Sequence, residues 1–133
     1  MSDDAKREAL MHQMKWTGHD SEKSHEIYHE DAVLEFPQSG ERFVGKRTFQ
    51  TWRERYPADV KFKVRRISGS GDFWVGEQLA SYNGGPWMFG VSLHPFRGDK
   101  VALERIYVME GFDAAAWRSE WAEMFDPLAS VAL

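Results

Sequence analysis

Glu77 and His94 are the two residues of this chain whose types and spacing most favour proton-transfer chemistry. A four-residue loop over 83–86 predicts a hairpin in which Glu77 lies opposite Ser92. Because side chains alternate between the faces of a strand, His94 then shares this face. A carboxyl group buried beside an imidazole holds the ring in one tautomer, which favours acid/base catalysis near pH 7. The alternative is a buried pair with a structural role.

The last predicted hairpin decides which further side chains share the face of His94. A two-residue turn at Gly98 and Asp99 adds one set, whereas a three-residue loop shifts the register by one residue and adds another. The first set is Leu103, Arg105 and Tyr107, and the second set is Glu104, Ile106 and Val108. Turn chemistry favours the first set. Glu104, Arg105 and Tyr107 therefore all stay candidates for contact with a ligand.

Aromatic side chains make up 14% of the chain, which is more than a core of this size requires. Those expected to line a cavity come from the helices and the first strand, and they are Trp16, Tyr28, Phe36, Phe49, Trp52 and Tyr56. Met88 and Ser92 lie on the face of His94 and are further expected contacts. Such a lining suits a flat, apolar ligand such as an aromatic or polycyclic ketone. For each single ring, an ordinary place in the core is the alternative.

Three other histidines, His19, His25 and His29, flank the predicted second helix and are interpreted as solvated residues at its ends. His25 and His29 have the i, i+4 spacing of a metal-binding pair. No third ligand accompanies them, so we expect no metal site. The glycine-rich turns do not join a strand to a helix, and we expect no nucleotide or other cofactor.

Composition excludes several classes of partner. The net charge of −4 and the pI near 5.7 argue against nucleic acid, because phosphates are bound by basic surfaces. No apolar run approaches a membrane span, so no membrane partner is expected. The lack of cysteine excludes disulfides and thiolate chemistry and fits a cytoplasmic location. The length and the lack of an interior linker predict one domain over residues 1–133.

Hydrophobic periodicity predicts helices first and strands afterwards. Helical patterns extend to Gly18 and then cover residues 21–28 and 46–56, with a strand over 33–36 between the last two. A period of two then predicts four antiparallel strands over residues 60–67, 73–82, 87–96 and 101–110. A last helix is predicted over 113–125. The fold class is α+β, with three N-terminal helices packed on a strongly curved, mostly antiparallel sheet and a short C-terminal helix.

Both faces of the predicted sheet carry apolar side chains. The helices can cover one face, which leaves the other in need of a cover. We therefore predict a homodimer formed through the outer face of the sheet.

Two short motifs carry a resemblance to a known family. Tyr28 is followed by Asp31, Ala32 and Val33 at the entry to the first strand, and Phe43-Val44-Gly45 leads into the third helix. Together with the order of elements, they make the chain resemble the nuclear transport factor 2-like superfamily, and within it the SnoaL-like polyketide cyclase group. This resemblance implies a cone-shaped fold around a buried pocket. It also implies a family that includes isomerases, cyclases, dehydratases, epoxide hydrolases and binding proteins without activity.

The resemblance to ketosteroid isomerases within this superfamily can be carried over to single positions. The position of their catalytic aspartate falls on Phe36, which cannot abstract a proton. Their oxyanion-hole tyrosine falls on His12, and their protonated aspartate falls on His94. The resemblance therefore implies catalytic roles for His12 and His94, and it favours Glu104 over Arg105 in the last hairpin.

These observations together predict a protein that binds a hydrophobic small molecule. We expect it to catalyse a cofactor-free isomerisation, cyclisation or dehydration of a carbonyl compound, with Glu77, His94 and His12 as the candidate catalytic groups. The alternative is a binding or interaction module without activity, in which the protein's own aromatic rings fill the pocket.

Overall fold

The computed structural model describes residues 1–129, so residues 130–133 of the predicted domain lie outside the described part. Helix α1, Asp3–Trp16, begins where the Ser2 hydroxyl accepts a hydrogen bond of 3.1 Å from the amide of Ala5. Helix α2, Ser21–His25, begins where the Asp20 carboxylate accepts from the amide of Lys23. It ends earlier than the predicted 21–28, because the chain becomes extended at Tyr28.

Strand β1, Tyr28–Phe36, pairs antiparallel with the short strand β2, Glu41–Val44. Gly45 then turns the chain with a φ of 93°, in the left-handed region that favours glycine, and helix α3, Lys46–Glu54, follows. The predicted helix over 46–56 is confirmed with an end two residues earlier.

Four long strands form the rest of the sheet: β3, Val60–Ser70; β4, Phe73–Tyr82; β5, Met88–Arg97; and β6, Lys100–Met109. They form the predicted antiparallel meander. The spatial order is β2-β1-β6-β5-β4-β3, with β1 parallel to β6. The α+β class is therefore confirmed as a six-stranded mixed sheet with a few helices. The strong curvature of the sheet stays a prediction.

The core lies between the helices and the inner face of the sheet, where α1 packs on β3 and α3 packs on β1. Its most buried members include Leu10, Tyr28, Leu34, Phe49, Ile67, Trp74 and Val101. Across residues 1–129, no helix combines the length and the apolar character that a membrane crossing requires.

The hairpin between β4 and β5 corrects the predicted partner of His94. Trp74 is paired with His94, and Glu77 is paired with Val91, so the register differs from the predicted one by a single residue. That shift moves every side chain of β4 to the other face. Glu77 is exposed on the outer face, and the predicted pairing of Glu77 with His94 is wrong. Gln78 takes the inner position instead.

The last hairpin combines the two alternatives that the sequence leaves open. Arg97 faces Lys100 across a two-residue turn, as turn chemistry favours. Farther along, Leu93 faces Arg105, because β6 contains one extra residue between Val101 and Arg105. This β-bulge brings Glu104, rather than Arg105 or Tyr107, to the inner face beside His94.

The segment after β6 differs from the helix predicted over 113–125. It contains one short 3₁₀ helix, Ala116–Trp121, and irregular backbone on both sides of it. Five large apolar side chains of this segment are exposed over about three-quarters or more of their surface, and they are Phe112, Trp117, Trp121, Met124 and Phe125. They have no core to pack against within the described chain, so the amphipathic stripe does not form a regular helix.

Candidate functional site

A cavity of about 430 Å³ lies between the helices and the inner face of the sheet. Its walls carry aromatic and aliphatic side chains, including Phe36, Trp52, Tyr56, Phe62, Tyr82 and Ile106. Its deepest part carries polar side chains that are almost fully buried, namely Gln78, Ser92, His94 and Glu104. An apolar wall with a few convergent polar groups is the usual make-up of a small-molecule site.

Glu104 on β6 is the centre of the polar groups. The Tyr28 hydroxyl donates to its Oε1 at 2.6 Å, and the Arg53 guanidinium donates to its Oε2 at 2.8 Å. Nδ1 of His94 lies 3.2 Å from Oε1. The side chain is only 3% exposed, so water contributes little to its solvation. Protein groups therefore replace the solvation of this carboxylate.

The charge states at this centre follow from its contacts. Burial alone would raise the pKa of Glu104, but the positive charge of Arg53, the close approach of His94 Nδ1 and the hydrogen bond from Tyr28 outweigh it and hold the pKa well below its ordinary value. Burial and the charge of Glu104 raise the pKa of Tyr28. Near neutral pH, the centre therefore contains a carboxylate, a guanidinium and a neutral phenol.

His94 on β5 lies between Glu104 and Ser92. Its Nε2 is 2.8 Å from Oγ of Ser92, and Nε2 of Gln78 donates to the same hydroxyl at 3.2 Å. The Ser92 hydroxyl can donate either to His94 Nε2 or to Oε1 of Gln78, which is 3.4 Å away. We assign the ring proton to Nδ1, because a lone pair there would face the Glu104 carboxylate at 3.2 Å, a contact that is not a regular hydrogen bond. The His94 side chain is 2% exposed.

His25, at the end of α2, also borders the cavity, so its interpretation as a solvated helix end is wrong. Its Nδ1 donates to the carbonyl of Ser21 at 2.7 Å, and its Nε2 accepts from Arg53 at 3.2 Å. Burial and the charge of Arg53 lower the pKa of His25. The ring therefore adds no positive charge to the cavity near neutral pH.

Six of the residues predicted for the site line the cavity together, namely Phe36, Trp52, Tyr56, Ser92, His94 and Glu104. Tyr28 and Phe49 are buried in the core and do not line it. Tyr28 acts on the site through its bond to Glu104.

The other predicted contact residues lie away from the cavity. Trp16 packs under the ammonium group of Lys23 at 4.1 Å, and Arg105 pairs with Glu35 at 2.9 Å. Tyr107 is paired with Val91 on the outer face. Met88 is paired with Ala80 at the inner face, but it is not among the lining residues.

His12 lies on the solvent face of α1, where it is 46% exposed and 3.5 Å from Glu26. Its predicted place in the site is wrong, and the next residue, Gln13, takes it. Gln13 is buried, borders the cavity and donates to the Tyr28 hydroxyl at 3.4 Å. A shift of one residue along a helix rotates the side chain by about 100°, which explains the difference.

Arg53 and Gln78 are the other functional candidates that sequence reasoning missed. Arg53 lies four residues after Phe49, the buried residue of α3, and this spacing is a signal that it faces inward. Gln78 follows from the correct register of the hairpin between β4 and β5. Among residues 1–129, no group of three or more His, Asp or Glu side chains could hold a metal ion.

Comparison with known proteins supplies a family model and solved structures of the same fold. A model described as a SnoaL-like domain matches residues 8–110. No curated protein matches the chain.

Three solved structures that resemble this chain have different functional descriptions. An NTF-2 like protein of unknown function from Burkholderia xenovorans has a TM-score of 0.89 at 38% identity, over 95% of this chain and 99% of that one. A candidate ketosteroid isomerase from Kribbella flavida has a TM-score of 0.85 at 20% identity, over 98% of each chain. A hypothetical protein with a ketosteroid isomerase-like fold from Catenulispora acidiphila, solved with trimethylamine, has a TM-score of 0.64 at 17% identity, over 75% of this chain and 84% of that one.

Proposed function

The chain belongs to the SnoaL-like domain family, and from this premise we propose that its cavity binds a small, mostly apolar carbonyl compound. We propose further that it catalyses a cofactor-free proton transfer on this compound, as in an isomerisation, a cyclisation or a dehydration. The observation that carries the proposal is the position of His94, held between the Glu104 carboxylate and the Ser92 hydroxyl in the deepest part of an apolar cavity.

In this mechanism His94 is the general base. Its Nε2 takes a proton from the carbon next to the ligand carbonyl, and the Glu104 carboxylate stabilises the imidazolium that forms. The Ser92 hydroxyl turns away from Nε2 and donates to the carbonyl oxygen, on which negative charge develops. Return of the proton to another atom of the ligand completes an isomerisation without any cofactor.

The route differs from the one the resemblance implies for ketosteroid isomerases. Phe36 occupies the position of their catalytic aspartate and lines the cavity as a ring. The base therefore comes from β5 rather than β1. The ligand seen with the Catenulispora acidiphila relative supports the view that this fold can take up small organic molecules.

The experiment that tests the proposal is hydrogen–deuterium exchange at the carbon next to a ketone. Incubation of 2-tetralone with the protein in D₂O, followed by NMR, measures proton abstraction without knowledge of the natural substrate. We expect the wild type to accelerate exchange. Since His94 carries the proton, His94→Gln should reduce the acceleration by about 100-fold. His12→Gln, on the solvent face of α1, is the matched control and should leave it unchanged.

The binding protein without activity is the alternative. The aromatic side chains leave a cavity of about 430 Å³ rather than fill it, which favours a ligand over an interaction module with a filled pocket. If ketones bind to the protein but the wild type exchanges no faster than buffer, the catalytic part of the proposal is wrong and the binding part stands.

We also propose that the chain forms a homodimer through the outer face of the sheet. This face carries apolar residues such as Val91 and Leu93 in its centre and the basic residues Lys61 and Lys63 on β3. The exposed C-terminal segment 112–128 carries four carboxylates and one arginine beside its large apolar side chains. An acidic, aromatic segment suits the basic, apolar face of a second copy.

A further inference from the structure

We propose that the ligand carries a positively charged, alkylated ammonium group, which lies in the outer part of the cavity. This inference rests on the proposed function and narrows the class of its ligand. Three observations carry it: the balance of charge around the cavity, the positions of two helix ends, and the arrangement of the aromatic rings.

The cavity lining contains three carboxylates and one guanidinium, and these four groups together carry a formal charge of −2. Arg53 is bound to Glu104 at 2.8 Å, so these two opposite charges compensate each other. The charges left over are those of Asp20 and Glu54. Within the described residues, neither of these carboxylates forms a salt bridge. The cavity therefore offers uncompensated negative charge to a ligand.

Glu54 is held as an anion by its own contacts. The Ser21 hydroxyl donates to it at 2.7 Å, and this bond lowers the pKa of the carboxyl. Glu54 is exposed and Asp20 is half-buried, whereas His94 is buried deep in the cavity. The negative charge thus lies toward the opening, away from the proposed base.

Two helices have their C-terminal ends at the cavity and contribute negative potential, while the N-terminal end of the five-residue α2 at the cavity is capped by Asp20. The last residues of α1 contribute Gln13, Met14 and Thr17 to the lining, and the last residues of α3 contribute Trp52, Arg53 and Glu54. The C-terminal end of a helix carries a partial negative charge from its unpaired carbonyl groups, which favours a neighbouring cation.

The aromatic rings provide the surface that an alkylated cation prefers. Phe36, Trp52, Tyr56 and Tyr82 follow one another with centroid separations of 5.9, 6.0 and 6.0 Å, and adjacent ring planes are tilted by 39° to 60°. All four of these residues line the cavity. Ring faces attract ammonium groups, and N-alkyl groups suit them because they need no hydrogen-bond acceptor.

The experiment compares two ligands of the same shape that differ in charge, namely phenyltrimethylammonium and tert-butylbenzene. Equilibrium dialysis of each against the wild-type protein gives the two dissociation constants. We expect the cation to bind about tenfold more tightly, in the range that cation–aromatic contacts with nearby carboxylates supply. A neutral apolar cavity would give the reverse order, because the cation is the better hydrated of the two ligands.

Two pairs of variants locate the effect. Glu54→Gln should weaken binding of phenyltrimethylammonium several-fold and leave tert-butylbenzene unchanged. Glu8→Gln, on the exposed face of α1, should change neither. Tyr82→Leu should weaken the cation more than the neutral ligand, whereas Tyr82→Phe, which keeps the ring face, should retain the preference.

Failure of this inference is distinguishable from failure of the proposed function. If tert-butylbenzene binds as tightly as the cation, or if Glu54→Gln has no effect on the cation, the ligand is not an ammonium compound and cavity binding stands. If neither ligand binds at any concentration tested, the inference is wrong and the binding function loses its support as well.

Discussion

The charge of Glu104 determines the properties of the residues around it. Tyr28, Arg53 and His94 all turn toward this carboxylate, which is the anionic partner that the three buried polar groups share. The site consequently combines catalytic candidates with a structural ion pair. Substitutions at this centre are expected to affect stability and activity together, which is why matched controls matter here.

The first prediction at the residue scale concerns the stability of this ion pair. Glu104→Gln leaves the Arg53 guanidinium, which is 23% exposed, without its partner. We expect the free energy of unfolding to fall by about 3 kcal/mol, as for other buried pairs that lose one member. Urea unfolding measures the change. Glu77→Gln on the outer face is the matched control and should change it by less than about 0.5 kcal/mol.

A second prediction concerns the dependence of stability on pH. The pKa of Glu104 in the folded state is lower than its unfolded value of about 4.3, so the unfolded chain binds more protons in acid. The stabilising contribution is therefore fully present above that unfolded value and is lost progressively as the pH falls from it toward the lower pKa of the folded state. Urea midpoints between pH 7 and pH 3 should fall less steeply in Glu104→Gln than in the wild type. Equal slopes would contradict the assigned charge state.

Single residues of the site could be predicted where the residue type suits a ligand site and the spacing along a strand or helix shows which face the residue lies on. Ser92 and His94 alternate on one strand, and Trp52 and Tyr56 have the spacing of one side of the predicted helix 46–56, although α3 ends at Glu54. Arg53, Gln13 and Gln78 were missed for a different reason. Charged and amide side chains are usually solvated, and their burial here depends on partners that are distant in sequence.

At the scale of elements, two glycines allow the inner face of the sheet to carry its polar groups. A Cβ atom at Gly76 would lie 2.5 Å from Cε of Met14 and 2.9 Å from Oγ of Ser92. At Gly90, it would lie 3.1 Å from Cγ of Gln78. Gly76 therefore leaves room for the Met14 side chain of α1, and Gly90 leaves room for the Gln78 side chain.

A third prediction follows for the packing of α1 on the sheet. Gly76→Ala should lower the free energy of unfolding by about 1–3 kcal/mol, the usual cost of an extra methyl group in a packed core. Because the nearest atom is the end of the flexible Met14 side chain, the additional substitution Met14→Ala should remove part of this cost. Urea unfolding of the two single variants and the double variant gives the coupling. Additive effects would show that Met14 is not the obstacle.

The elements themselves were predictable, whereas their registers were not. Alternation and turn residues give all four strands of the meander within three residues at each end, because these signals are local. The pairing of Glu77 with His94 depended on the length of one loop, and a single residue there exchanges the two faces. The extra residue in β6 occurs where that strand leaves regular pairing with both β5 and β1. The position of this β-bulge therefore depends on pairing with two neighbouring strands, which a local sequence pattern does not reveal.

At the scale of the whole molecule, the chain presents two surfaces that suit each other. The segment 112–128 exposes Trp117 and Trp121 over 76% and 75% of their surface. The outer face of the sheet has a basic edge at β3 and apolar residues in its centre. Large exposed apolar groups of this kind mark interaction surfaces.

A fourth prediction tests the homodimer. If the segment packs on a second copy, the wild type sediments as a dimer, and replacement of both Trp117 and Trp121 by Asp shifts it to the monomer in analytical ultracentrifugation. Met11→Asp, at an exposed apolar residue of α1, is the control and should leave the dimer intact. A wild type that sediments as a monomer at high concentration would contradict the proposal.

The sequence indicated that both faces of the sheet need a cover, but it predicted a regular C-terminal helix in place of the irregular segment. A stripe of apolar residues favours a helix only when a surface is present for it to pack on. Within residues 1–129, the large apolar side chains of this segment are exposed and no such surface covers them. Under the proposed homodimer, the stripe would be suited to a partner rather than to a regular helix.

The parallel pairing of β1 with β6 has a consequence for the order in which the protein is assembled. Tyr28 and Glu104 are separated by 76 residues in the chain, yet they share a buried hydrogen bond next to the cavity. During synthesis, the apolar face of β1 stays without its neighbour until β6 has left the ribosome. We expect the meander from β3 to β6 to form first from local contacts and β1 to join β6 later, because pairing over long separations is slow. We therefore expect the cavity to be completed only in the last step of folding, when β1 pairs with β6.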